Sequence, residues 1–174
     1  MKSIHTMFVA IICLALMQVA GSRELSAYTA QSGKAVFDLP DTSGQQHSQD
    51  DFHGRVVLVN FWASWCPSCI REMPGLERLR KKLNGQPFEV LAINVGEPKY
   101  RVWKFVKLIG LDLPVLLDSQ KETFRSWGGS VLPTSFLLDR EGRIRYVVQG
   151  DLEWDSEDVV LLIKELINEQ ENTQ

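Results

Sequence analysis

The hydrophobic positions of this chain fall into short blocks that switch between two spacings. Residues 55–63, "RVVLVNFWA", are apolar on both alternations, the pattern of a central strand covered on both faces. "FEVLAINV" repeats that pattern from Phe88, and "LPVLLD" is a shorter version from Leu113. After the first of these strands Met73, Leu76, Leu79 and Leu83 recur at steps of three or four. That spacing predicts a helix over residues 67–83, with Pro74 as a kink. "KYRVWKFVKLIG" predicts a second amphipathic helix ended by Gly110, and a short helix is expected over residues 122–127. "TSFLLD" and "RIRYVVQG", joined by a turn at "REG", have the form of a β-hairpin. Asp155 or Ser156 is placed to cap a last helix from about Glu157 to Asn168. Ahead of all these, "AVFDLPDTSGQQHS" turns at Ser43-Gly44 and predicts a hairpin of two short strands. Strands alternating with helices predict an α/β domain of three layers.

The ends of the chain read differently. Residues 7–20, "MFVAIICLALMQVA", form an apolar run broken only by Gln18. As a helix this run would span about 21 Å, short of the roughly 30 Å of a bilayer core. With Lys2 before it and Ala20, Gly21 and Ser22 after it, the run has the form of a secretory signal peptide. Residues 1–22 are therefore expected to be a leader, or a membrane anchor if uncleaved. Residues 23–32 are read as a linker, 33–170 as one folded domain and 171–174 as a polar tail. Either fate of the leader places the domain outside the cytoplasm. A chain of 174 residues fits one such domain, which is large enough to stand without disulfide staples. The formal net charge of −3 argues against a general nucleic-acid binder, which normally shows a strong positive bias.

The leader changes the meaning of the cysteines. Cys13 lies inside the apolar run, so the folded domain carries only Cys66 and Cys69, in "NFWASWCPSC". Closing so short a loop removes little chain entropy, which makes stapling a poor reason for the pair. A metal-binding module is the alternative from another class. A structural zinc site wants four ligands, and the domain offers no second pair and only His47 and His53. Haem attachment needs a histidine after the second cysteine, where Ile70 stands. No metal and no small cofactor is expected.

Redox cycling has a physical basis. The pair falls at the carboxyl end of a predicted central strand and the start of a predicted helix, where unpaired backbone N–H groups and the helix dipole favour a thiolate. Lowering a thiol pKa from about 8.5 to about 7 needs roughly 2 kcal/mol, within reach of those groups. Cys66 is then the attacking sulfur and Cys69, one turn further in, the resolving one.

"NFWASWCPSC", followed some sixty residues later by "VLPTSFLLDREGRI", resembles the thioredoxin fold. More narrowly, "GRVVLVNFWASWCPSCIREMP" and "LAINVGEP" resemble the TlpA- and ResA-type extracytoplasmic thiol–disulfide oxidoreductases. The likeness covers roughly residues 33–167. It implies a thioredoxin-like α/β/α sandwich with an N-terminal hairpin and a helical insertion between the second and third main strands. It also implies a redox-active Cys66–Cys69 disulfide and a cis bond before Pro133, with the Leu132 backbone free to pair with a substrate segment. Trp62 is expected in the core. Trp65 and Pro67 beside the pair are expected to meet the substrate.

Asn60 stands where thioredoxins carry a buried Asp, and an amide cannot take a proton. Glu72, one turn after Cys69, matches a carboxylate of the ResA-like members and is the first candidate relay; Glu97 in "NVGEP" is the second. The chain departs from the resemblance in "WGGSVLP", with Gly129 where Val is usual and Val131 where Gly is usual. Thr134 after the proline, instead of a glutamate, weakens assignment to the dedicated haem-maturation branch. The resulting expectation is an exported exchanger of protein disulfides, acting as a reductase recharged by a membrane thiol carrier, with cytochrome c maturation as one role. A disulfide-donating oxidant is the alternative. No nucleic acid is expected, and membrane contact is expected only through residues 1–22.

Overall fold

The computed structural model describes residues 26–27 and 35–169. The leader, most of the linker and the polar tail lie outside these described residues. Six strands form one sheet in the order β1-β8-β7-β4-β5-β6. These are β1 (Ser26–Ala27), β4 (Val56–Trp62), β5 (Phe88–Val95), β6 (Val115–Asp118), β7 (Thr134–Leu138) and β8 (Ile144–Gln149). Strands β4, β5 and β6 run parallel, while β7 and β8 are antiparallel additions beside β4. A separate hairpin holds β2 (Asp38–Pro40) and β3 (Gln46–Ser48). Four α-helices complete the domain: α1 (Pro67–Lys82), α2 (Lys99–Ile109), α3 (Glu122–Ser126) and α4 (Glu157–Asn168).

Strand β4 is buried at every position, which is why its sequence is apolar on both alternations. Val56, Leu58 and Trp62 face a core shared with Met73, Leu76 and Leu79 of α1, Val102 of α2 and Ile163 of α4. Val57, Val59 and Phe61 face the opposite core, with Phe37 from the hairpin side, Phe124 of α3, Trp127 and Phe136. Phe61 stacks edge-on against Trp127 and Phe136, at centroid separations of 5.5 and 5.8 Å. The three layers follow. Helices α1, α2 and α4 cover one face, and α3 with the hairpin side covers the other.

Several local expectations hold. Helix α2 ends at Gly110 in the left-handed region, φ 66°, where a side chain would be strained. Helix α1 runs through Pro74, whose missing N–H leaves the Ile70 carbonyl without its usual helical donor. The hairpin turns on Asp41, whose Oδ1 accepts from the backbone N–H groups of Ser43, Gly44 and Gln45 and from the Ser43 hydroxyl.

Two expectations hold only in part. Ser26 and Ala27, assigned to the linker, pair with Val147 and Tyr146 at the sheet edge. Edge pairing uses backbone groups alone and leaves no hydrophobic pattern to read. Ser156 is the N-cap of α4, one of the two residues expected there, but its hydroxyl makes no capping hydrogen bond, and Asp155 receives Arg78 Nε at 2.6 Å and Nη2 at 3.1 Å. That pair ties the loop between β8 and α4 down onto α1.

Candidate active site

The chain leaves the end of β4 at Trp62, turns through Ala63, Ser64 and Trp65, and enters α1 at Pro67. Cys66 is the N-cap of that helix. Its N–H donates to the Ala63 carbonyl at 3.1 Å, and Sγ accepts the Cys69 N–H at 3.3 Å. The Ser68 hydroxyl lies 3.4 Å from the same sulfur. Pro67 suits the first helical position, because its missing N–H falls where no intrahelical bond is made. Cys66 and Cys69 are joined in a disulfide, and Cys69 is fully buried. The helix start therefore places an N–H donor and the positive end of the dipole on one sulfur.

Trp65 is 64% exposed beside the pair, whereas Trp62 is buried in the core. Pro67 is also exposed. Pro133 is buried and follows a cis peptide bond from Leu132. The Leu132 N–H and C=O make no hydrogen bond among the described residues. Its neighbours are committed: the Val131 carbonyl accepts the Thr134 hydroxyl at 2.7 Å, and the Pro133 carbonyl accepts the Gly150 N–H at 2.8 Å. The swap in "WGGSVLP" has a packing reason at its first position. A Cβ on Gly129 would overlap the Phe124 ring, so a valine there could not sit beside this phenylalanine. Val131 is half exposed on the same loop.

The two candidate relays occupy different settings. Glu72 is buried below the pair on α1. Its Oε1 accepts Asn60 Nδ2 at 2.7 Å, and Asn60 Nδ2 also reaches Ser135 Oγ at 2.9 Å. Its Oε2 accepts the Trp154 indole N–H at 3.0 Å and the Leu152 N–H at 3.3 Å. Glu97 is equally buried, beyond the end of β5. It accepts the Ser64 N–H and the Ser64 hydroxyl, each at 2.6 Å, and Asn94 Nδ2 at 2.8 Å. Burial works to raise its pKa. The hydrogen bonds from Asn94 and Ser64, with the Arg101 charge, outweigh burial and hold the carboxyl below its usual range.

Ser64, Asn94, Ser135, Leu152 and Trp154 were not among the residues the sequence marked. Trp154 and Leu152 lie some eighty positions from Glu72, and nothing in a linear pattern links them. Ser64 stands two residues before Cys66, and its place on the turn into the helix is the one signal along the chain that could mark it. Among the described residues no group of three or more His, Cys, Asp or Glu is arranged to hold a metal.

Comparison with known proteins agrees with this geometry. Residues 26–161 match the redoxin family. The chain belongs to that family. It is 38% identical over 129 residues to the thiol-disulfide oxidoreductase ResA of Geobacillus thermodenitrificans, covering 74% of each protein. Against ResA of Bacillus subtilis it is 38% identical over 116 residues, covering 67% of this chain and 65% of the relative. Among solved structures, a Chlorobium tepidum protein assigned as the thiol:disulfide interchange protein DsbE superposes with a TM-score of 0.73. Its sequence is 29% identical, and the match covers 83% of this chain and all of that one. This redoxin-family chain is thus a thioredoxin-like thiol–disulfide oxidoreductase, with an N-terminal hairpin added to the fold.

Proposed function

We propose that this redoxin-family protein works outside the cytoplasm as a reductase of protein disulfides, with Cys66 as nucleophile. The observation that carries this reading is Cys66 Sγ at the N-cap of α1, accepting the Cys69 N–H. In the reduced protein the Cys66 thiolate attacks one sulfur of a substrate disulfide and expels the other as a thiolate. Cys69 then loses its proton and attacks Cys66 Sγ. That step expels the second substrate sulfur and leaves the Cys66–Cys69 disulfide. Two electrons pass from the dithiol to the substrate, and the departing thiolates take up protons. The substrate lies along Trp65, Pro67 and Val131, and pairs with the free N–H and C=O of Leu132 beside Pro133 as an added strand.

Glu72 is the group that receives the Cys69 proton, because it follows Cys69 by one helical turn and is buried on the same helix. Glu97 positions rather than relays. It is held ionised, it binds the turn that delivers Cys66, and unlike Glu72 it is not carried on the helix of Cys69. A membrane thiol carrier recharges the pair, and disulfides of apocytochrome c are one substrate class. The names of the relatives support thiol–disulfide exchange, and the leader-like residues 1–22 support the extracytoplasmic setting. Among the described residues no helix is long and apolar enough to cross a membrane.

A trapping experiment tests the scheme. Cys69→Ser leaves Cys66 free to attack but removes resolution, so mixed disulfides with substrate proteins should accumulate. Cys66→Ala should trap none, and an equal yield from Cys66→Ala would overturn the assignment. The reduction potential decides direction: a value near the −270 mV of thioredoxin fits a reductase, and one near about −120 mV would make the protein an oxidant.

A further inference from the structure

Helix α2 presents a second surface that the exchange reaction does not use. Its buried side is Val102, with Phe105 and Val106 partly covered and Phe105 stacked 5.8 Å from Trp62. Its outward side carries Tyr100 at 71% exposure, Trp103 at 46% and Leu108 at 80%, with Lys104 and Lys107 between them. At 100° per residue these five side chains share one face. Lys99 and Arg101 flank the face, and the helix contains no acidic residue. Arg101 lies 3.9 Å from Glu97, whereas Lys99, Lys104 and Lys107 form no ion pair among the described residues. The chain as a whole has a net charge of −3, so everything outside α2 is net negative.

We propose that this face of α2 docks on an anionic lipid surface. Large apolar groups so exposed are costly in water, and interleaved lysines suit a surface that is negative outside and apolar beneath. Tryptophan and tyrosine settle at the headgroup level, and lysine stems lie along the apolar layer while their ammonium groups reach the phosphates. The face is the convex outside of a helix. A bilayer needs no matching shape, whereas a peptide ligand would need a groove. The acidic remainder of the chain is repelled by the same surface, so docking is oriented. Helix α2 begins at the end of the molecule that holds Glu97, Ser64 and the cysteine pair. Docking therefore holds that end near the membrane, where the carrier proposed above would meet it. The inference adds to that reading, but lipid contact and thiol exchange are measured separately, so either can fail alone.

The test uses the full chain in its disulfide form, incorporated into vesicles of phosphatidylglycerol with phosphatidylcholine or of phosphatidylcholine alone. Brominated lipid quenches tryptophan that enters the headgroup layer, and Trp103→Phe identifies the share due to Trp103. The Trp103 share should be quenched at least fivefold more in the anionic vesicles. It should fall to the neutral-vesicle level in Lys104→Glu/Lys107→Glu, or when salt is raised to about 0.5 M. Both lysines are exposed, so the double variant should keep the wild-type melting temperature and the wild-type rate with a small dithiol. Equal quenching in both vesicle types would overturn the proposal. So would burial of Trp103 that grows with protein concentration without lipid, which would assign the face to a second copy of the chain.

Discussion

Glu72 and Glu97 are the same residue type, both buried, both near one end of the sheet, yet they hold different things. Glu97 accepts from the backbone and hydroxyl of Ser64, so it fixes the turn on which Cys66 is carried. Glu72 accepts from side chains and backbone brought from β4 and from the loop before α4, and it sits one turn beyond Cys69. The contrast teaches that a buried carboxylate is defined by its donors. Donors on the turn before Cys66 make Glu97 a brace, while donors from β4 and from the loop before α4 tie Glu72 to distant parts of the chain.

The sharpest way to break the comparison is Glu72→Gln, which keeps the shape and removes the proton acceptor. Resolution of the mixed disulfide near neutral pH should slow about a hundredfold, at the lower end of what general acid–base catalysis contributes. Stopped-flow tryptophan fluorescence measures it, and a rate within twofold of wild type would put Glu72 in the same class as Glu97.

Glu97→Gln should act on stability instead, with a loss of about 2 kcal/mol as buried donors lose an acceptor. Its pH dependence has a definite sign. The folded carboxyl titrates below its ordinary 4.5, so the unfolded chain binds the proton first. The stabilisation is complete above the unfolded value and is lost as pH falls through the folded one. Urea melts should show the gap between wild type and Glu97→Gln closing below about pH 4.5; a gap that stays constant with pH would remove the brace.

The smallest expected effect is that of Trp154→Phe, about 1 kcal/mol for one lost hydrogen bond to Glu72. Its value lies in a second readout. The pH profile of resolution should move with Trp154→Phe and stay in place with Glu97→Gln. Profiles that overlay would leave Trp154 a core residue with no hold on the chemistry.

Much of the frame was legible beforehand because burial on two faces writes itself into a strand. β4 was readable from an apolar run broken only by Asn60, and α1 from Met73, Leu76 and Leu79. The cysteine pair was legible as chemistry because its spacing and its place before a helix coincide. Ser26 and Ala27 were not, since edge pairing involves no side chain. The true partner of Asp155 was not either, because a capping motif and an ion pair look alike until Arg78 is seen across from it.

By itself the sequence determined where the helices and every strand but the edge strand β1 run, which cysteine begins a helix, and that two glutamates were worth weighing. These are local matters of side-chain period, backbone donors and residue type, and they survive without knowledge of the fold. Only the tertiary structure decided which glutamate braces Ser64 and which receives Asn60 and Trp154. Hydrogen bonds between residues eighty apart depend on how the sheet brings its ends together, and no spacing along the chain records that distance.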